Sequence, residues 1–305
     1  MDRREFLRKV TLWTTGAMIA PPVFHITPGL YAAGGEETEL YVGKGKNYTR
    51  LVDQLLNEMG GIEKFVKSGD KVVIKPNIGW DRNVEQAANT HPDLVTALAL
   101  LALDAGASKV SVFDRPCNEE RRCYNNSGIK PAMDRIEDKR AECSYMDKRR
   151  FIPVKIDNGR ALGEWTFYRD ALEADCYINV PIAKDHGLSG LTIGMKNVMG
   201  VIGGRRGQIH SNIARNLADL NTVIRPSLTV VDATRILVRN GPQGGSLEDV
   251  KQLDTIIVST DPVACDAYAT TLFGMKPEEI GSTVQAHKSG LGRIDLSRCN
   301  IKTVS

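Results

Sequence analysis

Apolar residues recur along this chain in two rhythms. Between residues 48 and 66, Leu51, Val52, Leu55, Leu56, Met59, Ile62 and Val66 fall at the spacing of an amphipathic helix. Short, mainly apolar runs at 71–75, 109–113, 175–181, 228–232 and 255–259 read as buried strands, with a further short strand at 39–42. Pro92 opens and Gly106 closes a helix whose body, 94–105, is almost wholly apolar. Further helices are expected at 190–202, 208–223 and 262–273. This alternation predicts an α/β fold: a doubly wound, mostly parallel sheet with helices on both faces. Residues 115–170 carry charge without apolar periodicity and read as a polar insertion or subdomain with one helix near 130–141. Residues 34–305 are therefore expected to form a single α/β domain.

The first 33 residues have a different character. Arg3-Arg4, then Phe6-Leu7 and Lys9, precede a moderately apolar run from Val10 to Ala20, a pattern that resembles a twin-arginine export signal, with Ala32 and Ala33 as small residues near a cleavage site. Pro21-Pro22 stop the apolar run well short of the roughly 20 residues a bilayer span needs. The resemblance implies a protein that folds in the cytoplasm, engages the twin-arginine (Tat) export machinery and works in the periplasm or another extracytoplasmic space. No membrane span is expected in the mature chain.

Charge narrows the function classes. The 305 residues carry 40 Lys plus Arg against 37 Asp plus Glu, a net +3, so the global basic excess of a nucleic-acid binder is missing. Six cysteines, at 117, 123, 143, 176, 265 and 299, contain no C-x-x-C pair, which removes zinc ribbons, thioredoxin-type motifs and ferredoxin-type motifs. Cys117, Cys123 and Cys143 lie in the polar stretch and are expected at the surface, where an oxidising compartment admits a disulfide; Cys176 and Cys265 read as buried.

In an open parallel sheet a ligand sits beyond the carboxyl ends of the strands. The residues at those ends are Lys75-Pro76-Asn77, Asp114-Arg115, Lys184-Asp185-His186, Asp232 with Arg235, and Thr260-Asp261. Asp261 before Pro262 reads first as a helix N-cap, and Asp114 as a turn residue. The lysines differ, because Lys75 and Lys184 follow apolar runs where an unpaired ammonium is costly.

The segment 184–210 concentrates the candidate chemistry. A helix over 190–202 would put Thr192 and Lys196 on one face, four residues apart, with Asn197 beside them. The rival reading is a glycine-rich helix packed on the sheet with Lys196 solvated. Gly203-Gly204 before Arg205-Arg206, and the loop from Asn240 to Gly245, read either as anion-binding nests or as plain turns. Next to an ammonium, His186 is expected to be neutral and suited to act as a base, while His210 starts a helix near the same segment. No two histidines show metal-ligand spacing, so no metal site is expected.

Across these residues the chain resembles the family known as domain of unknown function 362. The resemblance rests on five ordered motifs between Lys71 and about Gly274. They are Val73-Ile74-Lys75-Pro76-Asn77, the Lys184-Asp185-His186 turn, Gly194-Met195-Lys196-Asn197 with Gly200, the Asp232–Gly245 block with Asn240-Gly241-Pro242, and Asp261-Pro262-Val263-Ala264 with Asp266. The family has no well-established general activity, so the resemblance implies a fold and a site location more than a reaction. Many relatives carry a ferredoxin-like C-x-x-C-x-x-C module, which this sequence lacks.

The combined expectation is a small-molecule enzyme that holds a phosphate or carboxylate with Lys75, Lys184 and Lys196, oriented by Asn77. Thr192, Asn197, Arg205, His210, Asn240 and Asp261 complete the expected ligand contacts. His186 is the expected proton-transfer residue, supported by Lys184 and Asp232. Two alternatives belong to other classes: a binding protein using the same pocket without chemistry, and an electron-transfer protein with an iron–sulfur cluster held by Cys117, Cys123, Cys143 and a fourth cysteine.

Overall fold

The structure, a computed structural model, describes residues 38–304. The twin-arginine segment lies outside the described residues. In chain order the first half runs β1 (Thr38–Lys44), α1 (Tyr48–Glu58), β2 (Lys71–Pro76), α2 (Pro92–Asp104), β3 (Lys109–Val112), α3 (Glu120–Asn126), α4 (Ile129–Met133), β4 (Ala141–Cys143), β5 (Phe151–Lys155) and β6 (Glu164–Tyr168). The second half runs α5 (Arg169–Leu172), β7 (Cys176–Val180), β8 (Ile182–His186), β9 (Gly190–Thr192), α6 (Gly194–Asn197), α7 (Ile213–Val223), β10 (Leu228–Leu237), β11 (Val250–Ser259), α8 (Pro262–Thr271), α9 (Gly281–Lys288) and β12 (Cys299–Val304).

Among the described residues ten strands form one sheet in the order β12-β1-β11-β10-β7-β2-β3-β4, with β8 continuing alongside β10 and pairing with β9. Most pairings are parallel, including the central β10-β7-β2-β3 set; β11 is antiparallel to both β1 and β10. Alternate residues of each strand enter opposite cores, as the two-residue period of a strand requires. Val72, Ile74, Ile178, Val230 and Ile256 pack under α1, α2, α3 and α4. On the other face, Val73 and Tyr177 meet α7 and the β5-β6 hairpin, while Val231 and Ile257 meet α8. The fold is the expected α/β arrangement with helices on both faces.

Three local expectations change. Residues 190–202 are not one helix: Gly190, with φ of +75°, turns a hairpin in which Thr192 pairs with Lys184, and only Gly194–Asn197 is α-helical before a 3-10 turn over Val198–Val201. Apolar residues here are buried on all sides, so no helical stripe distinguishes helix from strand. The helix expected near 130–141 is the short α4, after which the chain returns to add β4 parallel to β3 at the sheet edge. Cys123 and Cys143 are buried, because α3 and β4 turn them into the core beneath the sheet, and Cys117 alone of that trio is exposed. No helix among the described residues is long and apolar enough to cross a membrane.

A cationic cavity at the strand ends

The strands β2, β3 and β8 deliver their carboxyl ends to a cavity of about 590 Å³. Its innermost wall begins with Lys75, near the end of β2 and fully buried. The Lys75 Nζ meets Asp114 Oδ1 at 2.9 Å and donates to Asn197 Oδ1 at 2.7 Å. Asp114, just past β3, is held in turn by the backbone N–H groups of Ile78, at 2.6 Å, and Arg115, at 2.9 Å. Gly200 closes over this pair: a Cβ there would lie 1.6 Å from Asp114 Oδ1 and 2.4 Å from Lys75 Nζ, so no other residue fits without displacing them.

From Asn197 the polar chain continues outward. The Asn77 side-chain amide donates to Asn197 Oδ1 at 3.1 Å, and Asn77 Oδ1 accepts from Lys184 Nζ at 3.0 Å. Lys184 also donates to the Ala88 carbonyl at 2.5 Å. The Asn197 amide donates to Asn179 Oδ1 and to the Lys75 carbonyl, locking its orientation. Lys184 is 1% exposed, yet no carboxylate among the described residues pairs with it. Burial, then the neighbouring Lys196 ammonium, brings its pKa down to about 7.

Lys196 stands on α6, whose first N–H groups, from Gly194 and Met195, donate to the Asp266 carboxylate of α8 at 2.7 and 2.9 Å. Among the described residues its Nζ has one hydrogen-bond partner, Met199 Sδ at 3.8 Å. Burial and the nearby cations Arg206 and Lys75 lower its pKa to about 8. Thr192, 3% exposed and lining the same cavity, has a buried hydroxyl with no hydrogen-bond partner.

Two guanidiniums complete the cationic lining, each held by carbonyls instead of carboxylates. Arg115 donates to the Ile202 and Gly204 carbonyls, and Arg206 to those of Arg115, Pro116 and Met199. Trp80, Cys117, Leu188 and Pro242 form the outer lining.

His186 and His210 both line the cavity and lie with their rings nearly parallel, centroids 6.1 Å apart. The backbone N–H groups of Leu188 and Ser189 donate to His186 Nδ1 at 3.1 and 3.3 Å, which places the proton of the neutral ring on Nε2. Burial, followed by the Lys196 charge, lowers its pKa to about 3. At neutral pH His186 is thus a hydrogen-bond donor from Nε2, and the role of base expected from the sequence does not fit its geometry.

Eight expected site residues line this one cavity: Lys75, Asn77, Lys184, His186, Thr192, Lys196, Asn197 and His210. Four others do not. Asp232 is enclosed by Arg235, at 2.9 Å, by the His91 N–H, and by Thr234, so its oxygens are committed to joining β10 to the entry of α2. Asp261 caps α8 through the Val263 and Ala264 N–H groups. Asn240 donates to Asp249, leaving the cavity lining to Gly241 and Pro242. Arg205 is exposed, and its neighbour Arg206 takes the inward position. Asp114 and Arg115 were visible as a strand exit, but nothing local marks Asp114 as the partner of Lys75.

The cysteines do not fit a cluster. Cys123 and Cys143 are in the core, where burial pushes their thiols up to about 11 and about 12, and all six cysteines are unpaired thiols. Among the described residues no group of three His, Cys, Asp or Glu is placed to hold a metal ion.

Comparison with known proteins adds the following. Residues 72–271 match the family described as Domain of unknown function (DUF362). The chain is 26% identical over 253 residues to the Thylakoid-associated protein sll1697 of Synechocystis, covering 78% of this chain and 73% of that protein. A crystal structure of a Thermotoga maritima protein from a structural genomics programme is similar at 11% identity and a TM-score of 0.45, over 76% of this chain and 60% of that one. The lactate racemase apoprotein from Thermoanaerobacterium thermosaccharolyticum is similar at 12% identity and a TM-score of 0.43, over 73% of this chain and 54% of that one. This chain spans less than two thirds of either solved structure.

Proposed function

We propose, for a chain that belongs to the Domain of unknown function (DUF362) family, that the cavity binds a small anionic molecule and that the protein is an enzyme acting on it. One observation carries this reading: among the described residues five cationic side chains, Lys75, Lys184, Lys196, Arg115 and Arg206, line a single cavity whose lining includes one carboxylate, Asp114. Burying cations without counter-charge is unfavourable in the empty protein, and a bound phosphate or carboxylate reverses that penalty. The inner ammoniums and the unpartnered Thr192 hydroxyl hold the anion, while Asn77 and Asn197 keep the lysines in place. His186 donates from Nε2. Lys184, poised near neutrality, replaces it as the group that takes up and returns a proton. Export through the twin-arginine route is part of the same proposal and rests on the Arg3-Arg4 pattern.

Titration calorimetry with inorganic phosphate and with acetate tests the binding step. Micromolar to millimolar binding that Lys184→Ala and Lys196→Ala each weaken by about tenfold or more supports it. Binding left unchanged by both substitutions contradicts it. Should binding be present and no small oxo acid or phosphate ester be consumed, the pocket serves a binding protein instead.

A further inference from the structure

We infer that Lys196 is an amine nucleophile which forms an imine with a small carbonyl compound bearing a carboxylate, an oxo acid. The inference rests on the anion-binding reading above and specifies the substrate for that site. Geometry separates Lys196 from the other two lysines. Lys75 is held by Asp114 and Asn197, and Lys184 by Asn77 and the Ala88 carbonyl. Those contacts spend ammonium protons on fixed oxygens. Lys196 touches only the weak Met199 Sδ acceptor among the described residues, so its nitrogen is the one not engaged by oxygen.

Its mounting is rigid nonetheless. Asp266 fixes the first turn of α6, and Gly194 admits that contact only because it lacks a side chain: a Cβ there would lie 2.7 Å from Asp266 Oδ1. The surrounding positive charge and burial favour the free amine. At pH 7.5 a pKa of about 8 leaves on the order of a hundredfold more free amine than a solvated lysine has. Arg115 and Arg206 supply the charge that a carboxylate requires, and Thr192 offers an unpaired hydroxyl in the same cavity.

The step balances without an oxidant or reductant. The Lys196 nitrogen lone pair forms a bond to the carbonyl carbon as the C=O π pair moves to oxygen. A proton from nitrogen and one from the Lys184 ammonium then convert that oxygen to water. The products are a protonated imine on Lys196, one water and neutral Lys184, with total charge unchanged. The positively charged imine withdraws electrons from the adjacent carbon and eases loss of a proton or of carbon dioxide there.

The test uses the purified protein with pyruvate as probe and cyanoborohydride as trap, followed by peptide mass spectrometry, with phosphate calorimetry on the same sample. The expected result is reductive attachment of pyruvate at Lys196, about tenfold or more above any other lysine, suppressed by phosphate and lost in Lys196→Arg. Phosphate binding with no adduct at Lys196, or with the adduct on Lys184 or surface lysines instead, overturns the imine and leaves the anion site standing. Neither binding nor adduct overturns both.

Discussion

Two buried polar clusters sit in the same sheet, one within β10 and one beyond the ends of β2 and β3, and they are built on opposite principles. Around Asp232 the charges close: Arg235 pairs with it at 2.9 Å and also donates to the carbonyls of Val84 and Asn89, while the His91 and Thr234 N–H groups occupy the remaining carboxylate positions. Around Lys75, Lys184 and Lys196 the charges stay open: three lysines share a cavity in which Asp114, paired with Lys75, is the one carboxylate among the described lining residues. A closed cluster fastens the loop after β2 to β10. An open one leaves positive charge unbalanced, which is the basis of the proposed anion binding. Burial alone therefore does not separate structure from function; the balance of charge within the buried group does.

The largest break in this contrast comes from the closed cluster. Arg235→Met strands a buried carboxylate and is expected to lower stability by about 3–5 kcal/mol in chemical denaturation, while the folded fraction still binds phosphate. Gly200→Ala comes next, because the new methyl collides with Asp114 and Lys75. A loss of about 1–3 kcal/mol is expected, and here phosphate affinity falls as well, since the inner wall shifts.

Asp261→Ala removes the α8 cap, with an expected loss of about 1 kcal/mol and unchanged phosphate affinity. If that substitution abolishes binding, the placement of Asp261 outside the site is wrong.

Titration sharpens the comparison. Lys184 and Lys196 have folded pKa values of about 7 and about 8, below the ordinary lysine value of 10.5. The unfolded chain thus binds more protons between those limits, and stability rises with pH there. The penalty for charging the two lysines is fully present below about pH 7 and fades toward pH 10.5. Their contribution to the rise of the denaturation midpoint between pH 7 and 10 is expected to shrink in Lys184→Met. A variant curve parallel to the wild type contradicts the open cluster.

Much of this fold was legible because its central strands are buried on both faces and read as apolar runs: Val72-Val73-Ile74, Val230-Val231 and Ile256-Ile257-Val258. The same burial hid the 190–202 segment, where Leu191, Ile193, Met195, Val198 and Val201 leave no polar face to show a period. Lysines directly after apolar runs pointed to the cavity, since chemistry seldom puts an ammonium there without a partner or a purpose. Partnership itself was not legible. Lys75 and Asp114 are 39 positions apart and meet only through the parallel pairing of β2 with β3. Likewise, the Nδ1 contacts that turn His186 into a donor depend on the tight turn after β8, a feature of backbone geometry that residue identity does not announce.

The most direct test of the open cluster is the number of protons taken up when phosphate binds at pH 8, measured by calorimetry in two buffers of different ionisation enthalpy. An anion that completes the charge balance raises both lysine pKa values, so net proton uptake by the protein and an affinity that falls as pH rises above 8 are predicted. Binding without protein-side uptake, or with affinity flat from pH 7 to 10, would contradict the account.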